Sequence, residues 1–234
     1  ILVYAHRRYP LLRLSLKEPL FRRENFAQGL RFGLPPALQF SVTAGGNIAL
    51  QNFMNGFGSH TVAAITTAYR VDTIMLLPII NLGSAISTMV AQSKGAGEPQ
   101  RARHFWRTGA VMNLVVSLLL MAVMLLFGGK LVALFGVEAE AAAIGRRFFQ
   151  RISLFYVFFG LACSMRGTIE GTGRVVYSSA VSIAALLLRI ALSYLLAGAF
   201  LNMAIAYAEG LHWIFMVLCF LPFFLRRDRW AQNS

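Results

Sequence analysis

The chain has 234 residues, 57% of them hydrophobic and only 13% charged, with a mean hydropathy of +0.62 and a formal net charge of +13. A soluble domain carries about 25% charged and about 45–50% apolar residues, so soluble enzymes, disordered chains, collagen and disulfide scaffolds are excluded. In a soluble protein such a basic excess would suggest nucleic acid; here it accompanies apolar runs such as Ala110 to Phe127, broken only by Asn113 and Ser117 and long enough to cross a bilayer.

Taken in order, Ile1 to Ala5 reads as the last turn of a preceding hydrophobic helix, so the chain is expected to be the carboxyl-terminal piece of something longer. The rest of residues 1–31 forms a basic cytoplasmic linker, in which Leu11 to Phe21 suits an amphipathic helix on the membrane surface. Six spans fill residues 32–225: Phe32 to Asn55, Val62 to Gln92, Thr108 to Phe127, Arg151 to Thr168, Val176 to Ala197 and Met203 to Leu225. Residues 226–234 are a cytoplasmic tail. Strand-like alternation is absent, and in lipid each backbone polar group must be satisfied internally. The fold class is therefore all-α, a polytopic membrane helix bundle of six transmembrane spans. The second span measures about 46 Å at 1.5 Å per residue, against a hydrocarbon core of about 30 Å, so it must tilt, protrude or kink at Pro78.

Lys and Arg fall unevenly among the connections. The lead segment has Arg7, Arg8, Arg13, Lys17, Arg22, Arg23 and Arg31; the second connection has Lys94, Arg101, Arg103 and Arg107; the fourth has Arg166 and Arg174, and the tail has Arg226, Arg227 and Arg229. The opposite side holds Lys130, Arg146, Arg147 and Arg151 in one long connection, and its two short turns hold none. By the positive-inside rule both ends are cytoplasmic, and the net charge is mainly a topological signal. Within that long connection, Leu131 to Phe135 and Ala139 to Ile144, followed by Arg146 and Arg147, predict a short amphipathic helix in the outer interface. Cys163 and Cys219 sit in apolar stretches and read as buried free thiols.

Polar groups inside spans are costly and face a bundle interior or a watery cavity. Thr43, Asn47, Gln51 and Asn55 recur every four residues on one slowly drifting helix face. Two readings stand side by side: a polar cavity wall, or interhelical hydrogen bonding with close packing at Gly45 and Gly46. Asn81, Ser84 and Thr88 make a similar stripe on the second span, with packing the favoured reading. Asp72 is the only acid well inside that span and so a candidate proton or cation site; the competing reading pairs it with an Arg on a neighbouring helix, since Arg70 projects to another face. Arg189 is placed to snorkel or pair, whereas Glu209, beside His212 and the interfacial anchor Trp213, reads as interface decoration. Gly167 to Gly173 reads as a turn at a cytoplasmic helix end. The four histidines have no ligand partners at metal-site spacing, and no P-loop, dinucleotide fingerprint, nucleophile elbow or zincin motif is present, so neither a metal site nor an enzyme is expected. Arg103-His104-Phe105-Trp106-Arg107 imitates a nucleic-acid patch but abuts a span, where a membrane-interface belt explains it better.

The stretch Gly33-Leu34-Pro35-Pro36-Ala37-Leu38-Gln39, then Asn47, Gln51, the uncharged Asn55-Gly56-Phe57-Gly58 turn, Ala63-Ala64, Tyr69-Arg70-Val71-Asp72, Pro78, Gly83 and Ala91-Gln92-Ser93-Lys94-Gly95-Ala96-Gly97 with Arg101-Ala102 resembles the multidrug and toxic compound extrusion (MATE) family. A second echo is Arg166-Gly167 through Gly171-Thr172-Gly173-Arg174. The resemblance covers residues 28 to 225 and implies the carboxyl-terminal lobe of a two-lobe, twelve-span antiporter. It implies export of cationic or amphipathic small molecules in exchange for H+ or Na+, with no other cofactor and with an amino-terminal lobe as partner in a bacterial inner membrane. Thr43, Asn47, Gln51 and Asn81 would line the cavity and Asp72 would couple to the ion. Some branches carry coupling carboxylates on the first and fourth spans of this lobe, where this sequence has Thr43 and Cys163-Ser164, so it is similar to branches whose essential acid lies in the other lobe. A flippase for lipid-linked sugars, whose cavity should be strongly cationic, and a non-transporting membrane scaffold are the alternatives.

Overall fold

The computed structural model describes residues 22–225, and every regular element among them is helical. The linker helix expected at Leu11 to Phe21, the helix remnant at Ile1 to Ala5 and the tail arginines lie outside the described residues. The chain divides into two units, Ile1–Leu34 and Pro35–Ser234. Of the first, the described residues are Arg22 and the opening turns of helix α1 (Arg23–Asn55), all exposed. The division falls at Pro35-Pro36, where two successive residues cannot donate helical hydrogen bonds.

The second unit holds the remainder of α1 and then α2 (Ser59–Gly95), α3 (Pro99–Ala133), α4 (Ala139–Ile152), α5 (Tyr156–Gly171), α6 (Val175–Leu195) and α7 (Ala204–Leu225). Five helical stretches are long and apolar enough to cross a membrane: Ser59–Gly95, Pro99–Ala133, Ala139–Gly171, Val175–Leu195 and Ala197–Leu225. They match the second to sixth predicted spans in order. The first predicted span, Phe32 to Asn55, is helical throughout, but its polar residues keep it below that apolar standard. α2 runs through Pro78 without a break in the helix.

Two expectations need correction here. The long outer connection is mostly helix, yet Leu131 to Ala133 complete α3 and the amphipathic segment starts only at Ala139, after a turn with Gly136 at φ 72°. That segment, α4, does not lie apart on a lipid surface. Its Phe148, Phe149 and Ile152 are fully buried in the main core, while Arg146, Arg147 and Gln150 point outward, and it continues through a 3-10 turn at Ser153–Phe155 into α5. The predicted start of the fourth span at Arg151 thus falls inside a helix that began earlier. Second, Gly167 and Gly171 are not in a turn. They belong to α5 and pack on α2, where a Cβ at Gly167 would collide with the Gly83 carbonyl oxygen and one at Gly171 would approach the Ser87 oxygen to 2.5 Å. The turn proper is Thr172–Arg174, with Gly173 at φ 86°.

The main core joins α2, α3, α4, α5 and α7 with Leu50, Phe53 and Met54 from the end of α1; a smaller cluster of Ile86, Val90, Met165, Ile169, Phe220 and Phe223 closes the other end. Between α3 and α5 the fully buried Asn113 donates to Ser164 Oγ at 2.9 Å and to the Gly160 carbonyl at 3.3 Å. α1 leans on α6, with Gly46 against Leu186 and Phe53 edge-on to Tyr194 at 5.0 Å; Gly45 faces open space, so only Gly46 serves the close packing expected of the pair. Cys163 and Cys219 are free and half-buried.

Candidate functional site: an embedded polar cluster and an outward polar face

The predicted site residues separate into two places. Asp72 points into the lobe and is only 5% exposed. Its carboxylate accepts a hydrogen bond from the hydroxyl of Tyr156, a fully buried residue at the first position of α5. One turn earlier on α2, the hydroxyl of Tyr69 accepts from Arg189 Nη2 at 2.9 Å and donates to Glu209 Oε2 at 3.3 Å. Arg189 of α6 and Glu209 of α7 form a direct ion pair whose side chains are 11% and 10% exposed. The guanidinium lies 5.6 Å from the Tyr69 ring centroid, and His212 Nδ1 is 3.9 Å from Glu209 Oε1. Four helices thus converge on one polar cluster.

Such a cluster is costly in an apolar lobe unless its members satisfy one another. It brings together two carboxyl groups and one guanidinium, with the His212 imidazole beside Glu209. Arg189 balances Glu209; Asp72 has a hydroxyl partner but no cation in direct contact.

Several residues change role here. Glu209 is a buried ion-pair partner rather than interface decoration, and Trp213, at 3% exposure, packs against Phe159 with ring centroids 4.9 Å apart and planes tilted by 43°, inside the core instead of anchoring at the interface. Arg189 pairs rather than snorkels. The signal for that pair was present, since the fifth and sixth spans each carry one ionised group of opposite sign and embedded charges seek partners. Tyr69 stood out only as part of the Tyr69-Arg70-Val71-Asp72 stretch of the family resemblance, and nothing in the sequence singled out Tyr156.

Thr43, Asn47, Gln51 and Asn81 are placed elsewhere. Thr43 is half-buried, its hydroxyl donating to the Gln39 carbonyl at 2.8 Å; Asn47 is exposed, and the half-buried Gln51 donates to Asn55 Oδ1 at 3.4 Å. Asn81 is exposed on α2, in line with Arg70, Thr73, Ser84 and Thr88, all exposed too. In chain order these positions are separated by three, eight, three and four residues and so share one helix face. An open pocket of about 560 Å³ at the α1–α2 turn is lined by Asn55, Gly58, Ser59, Val62, Ala63, Thr66, Thr67 and Arg70, and Thr43, Asn47, Gln51 and Asn81 lie outside it. At the opposite end of the lobe Arg166 joins Gln39 at 3.1 Å to Glu170 at 2.7 Å, and Glu170 accepts from Ser178 at 2.9 Å, tying α1, α5 and α6 together.

Apolar helices enclosing an embedded charge cluster, with a polar face turned outward, define an all-α polytopic membrane helix bundle. The model of the MatE family matches residues 35–195. The chain belongs to that family. It is 29% identical over 150 residues to the probable multidrug resistance protein YpnP of Bacillus subtilis, covering 64% of this chain and 34% of the relative. It is also 29% identical over 157 residues to the probable multidrug resistance protein YoeA of the same species, covering 67% and 34%. A solved outward-facing multidrug resistance MATE family transporter of the MOP superfamily superposes with a TM-score of 0.87 at 15% identity, over 99% of this chain and 53% of that one. The chain therefore spans about a third of the length of these curated relatives and about half of the solved transporter.

Proposed function

We propose that this chain is one lobe of a secondary active antiporter that exports amphipathic or cationic small molecules in exchange for H+ or Na+. In this reading residues 1–31 link it to a preceding amino-terminal lobe, residues 32–225 form the lobe, and residues 226–234 are a tail; both ends are cytoplasmic in a bacterial inner membrane. The protein moves its substrate without chemical change and needs no cofactor beyond the coupling ion.

The observation that carries this is the outward polar face of α1 and α2. The exposed Thr73, Ser84 and Thr88 hydroxyls bond back to the carbonyls of Tyr69, Ile80 and Ser84, but Asn47, Asn81 and Arg70 are exposed with no hydrogen bond to the described residues, on helices of membrane-crossing length. Lipid does not solvate such groups, and an embedded charge costs about 2.5–3.5 kcal/mol at a helix centre on insertion scales. A watery cavity against a second lobe does solvate them, and two lobes rocking about a midplane site is how transporters of this kind alternate access. Thr43, Asn47, Gln51 and Asn81 are the cavity wall. Asp72, one carboxylate in excess of the Arg189–Glu209 pair, is the ion-responsive group. A proton or Na+ there balances the cluster, and losing it leaves a net negative charge where α2, α5, α6 and α7 meet.

Two measurements test this. In proteoliposomes carrying the two-lobe protein that contains this chain, Asp72→Asn is expected to lower ion-gradient-driven ethidium accumulation at least tenfold while leaving the melting temperature within a few degrees; an unchanged rate and pH dependence would remove Asp72 from coupling. Vesicles holding this chain as sole protein are expected to show no ion-driven export, and robust export would overturn the lobe reading.

A further inference from the structure

If the outward face of α1 and α2 is a cavity wall, as proposed above, its charge bears on which substrates it holds. From Pro35 to Asn55, α1 has no ionised side chain. On α2 the ionised groups are Arg70, Asp72 and Lys94; Asp72 is turned inward to Tyr156, and Lys94, near the far end, donates to the Thr172 carbonyl at 3.1 Å. Of the other titratable groups on the helix, His60 faces Glu138 and Glu140, and Tyr69 is held by Arg189 and Glu209. Arg70 is thus the charge presented at the pocket. It is exposed, lies about 16 Å along the helix from Ser59 at 1.5 Å per residue, and makes no hydrogen bond or ion pair with the described residues. Thr66 and Thr67, about one turn before Arg70 on the same helix, line the same pocket. Asn55 and Ser59 add further polar groups, and no acid lines the pocket.

A guanidinium with its donor edge free, about one turn from Thr66 and Thr67, matches a carboxylate or phosphate, which it binds with paired, charge-assisted hydrogen bonds. A simple cation would be repelled. We propose that the Arg70 pocket holds the anionic group of an amphipathic molecule, whose apolar part lies along Val62 and Ala63. Substrates that engage this lobe are thereby anionic or zwitterionic amphipaths, and a purely cationic one must find its countercharge outside this face. Membrane phospholipid offers the same chemistry, so the source of the anion is a separate question from its recognition.

Equilibrium dialysis of the detergent-solubilised chain against pyrenebutyrate and pyrenebutylamine, matched in apolar body and opposite in charge, tests the proposal. Pyrenebutyrate is expected to bind at least about tenfold tighter, Arg70→Gln to erase that preference and Arg70→Lys to keep most of it. Arg70 supports no contact in the lobe, so the variants should melt as the parent does. Repeating the measurement in phosphatidylcholine nanodiscs with and without phosphatidylglycerol separates the sources. Competition that disappears in Arg70→Gln assigns the site to a lipid headgroup, and no competition assigns it to a free substrate; either supports anion recognition. Pyrenebutylamine binding as tightly as pyrenebutyrate, or a preference that survives Arg70→Gln, overturns it while leaving the cavity reading intact. Binding of neither probe overturns both.

Discussion

Glu209→Gln is expected to destabilise the lobe by about 3–5 kcal/mol, because it strands the Arg189 guanidinium as a buried, uncompensated charge. Arg189 has little else to turn to: beyond the Glu209 carboxylate it contacts the hydroxyl and ring of Tyr69, and its Nε is buried without a partner. The double variant Arg189→Met with Glu209→Leu should recover most of the loss, since replacing a buried ion pair by apolar residues of similar volume is often neutral or favourable. Equilibrium unfolding of the chain in mixed micelles, followed by tryptophan fluorescence, measures both. A single variant as stable as the parent would show that the pair does not hold α6 to α7. A double variant as damaged as the single would show that packing, not charge, explains the loss.

Gly167→Leu is expected to prevent assembly of the lobe. The collision would be with the Gly83 backbone, which cannot rotate aside as a side chain does, so the cost should exceed the about 1–3 kcal/mol of ordinary overpacking. Gly167→Ala should already destabilise. Gly45→Ala makes the matched control: nothing lies within 4 Å of its added Cβ, and relief of glycine's backbone entropy should stabilise the helix by about 0.5–1 kcal/mol. Opposite signs for two Gly→Ala changes in one protein would locate the α2–α5 crossing energetically. Equal melting temperatures for Gly167→Ala and the parent would argue against the close approach.

These predictions concern residues the sequence had partly disguised. Gly167 and Gly171 stood beside Gly173 in what looked like a turn, because three glycines near a basic cytoplasmic end signal chain reversal more readily than helix contact. Their spacing of four suits a tight crossing, yet spacing cannot say whether a partner backbone is there. Glu209 had a similar disguise, since a Trp and a His beside an acid near a span end is the composition of an interfacial belt.

The helical class, the order of the spans and the excess of polar groups on the first two were all legible from the sequence alone. Each follows from local rules: a bilayer needs about 20 apolar residues per crossing, backbone groups in lipid must bond internally, and helical periodicity sorts residues onto faces. What lies opposite a face was not legible. Only the tertiary structure could join Asp72 to Tyr156, Arg189 to Glu209 and Gly83 to Gly167 across separations of 84, 20 and 84 positions, because those contacts depend on how helices cross rather than on what any one of them contains. It also divided the polar residues, turning Asp72 inward among aromatic rings and leaving Arg70, two positions away, on the outer face with an open pocket before it.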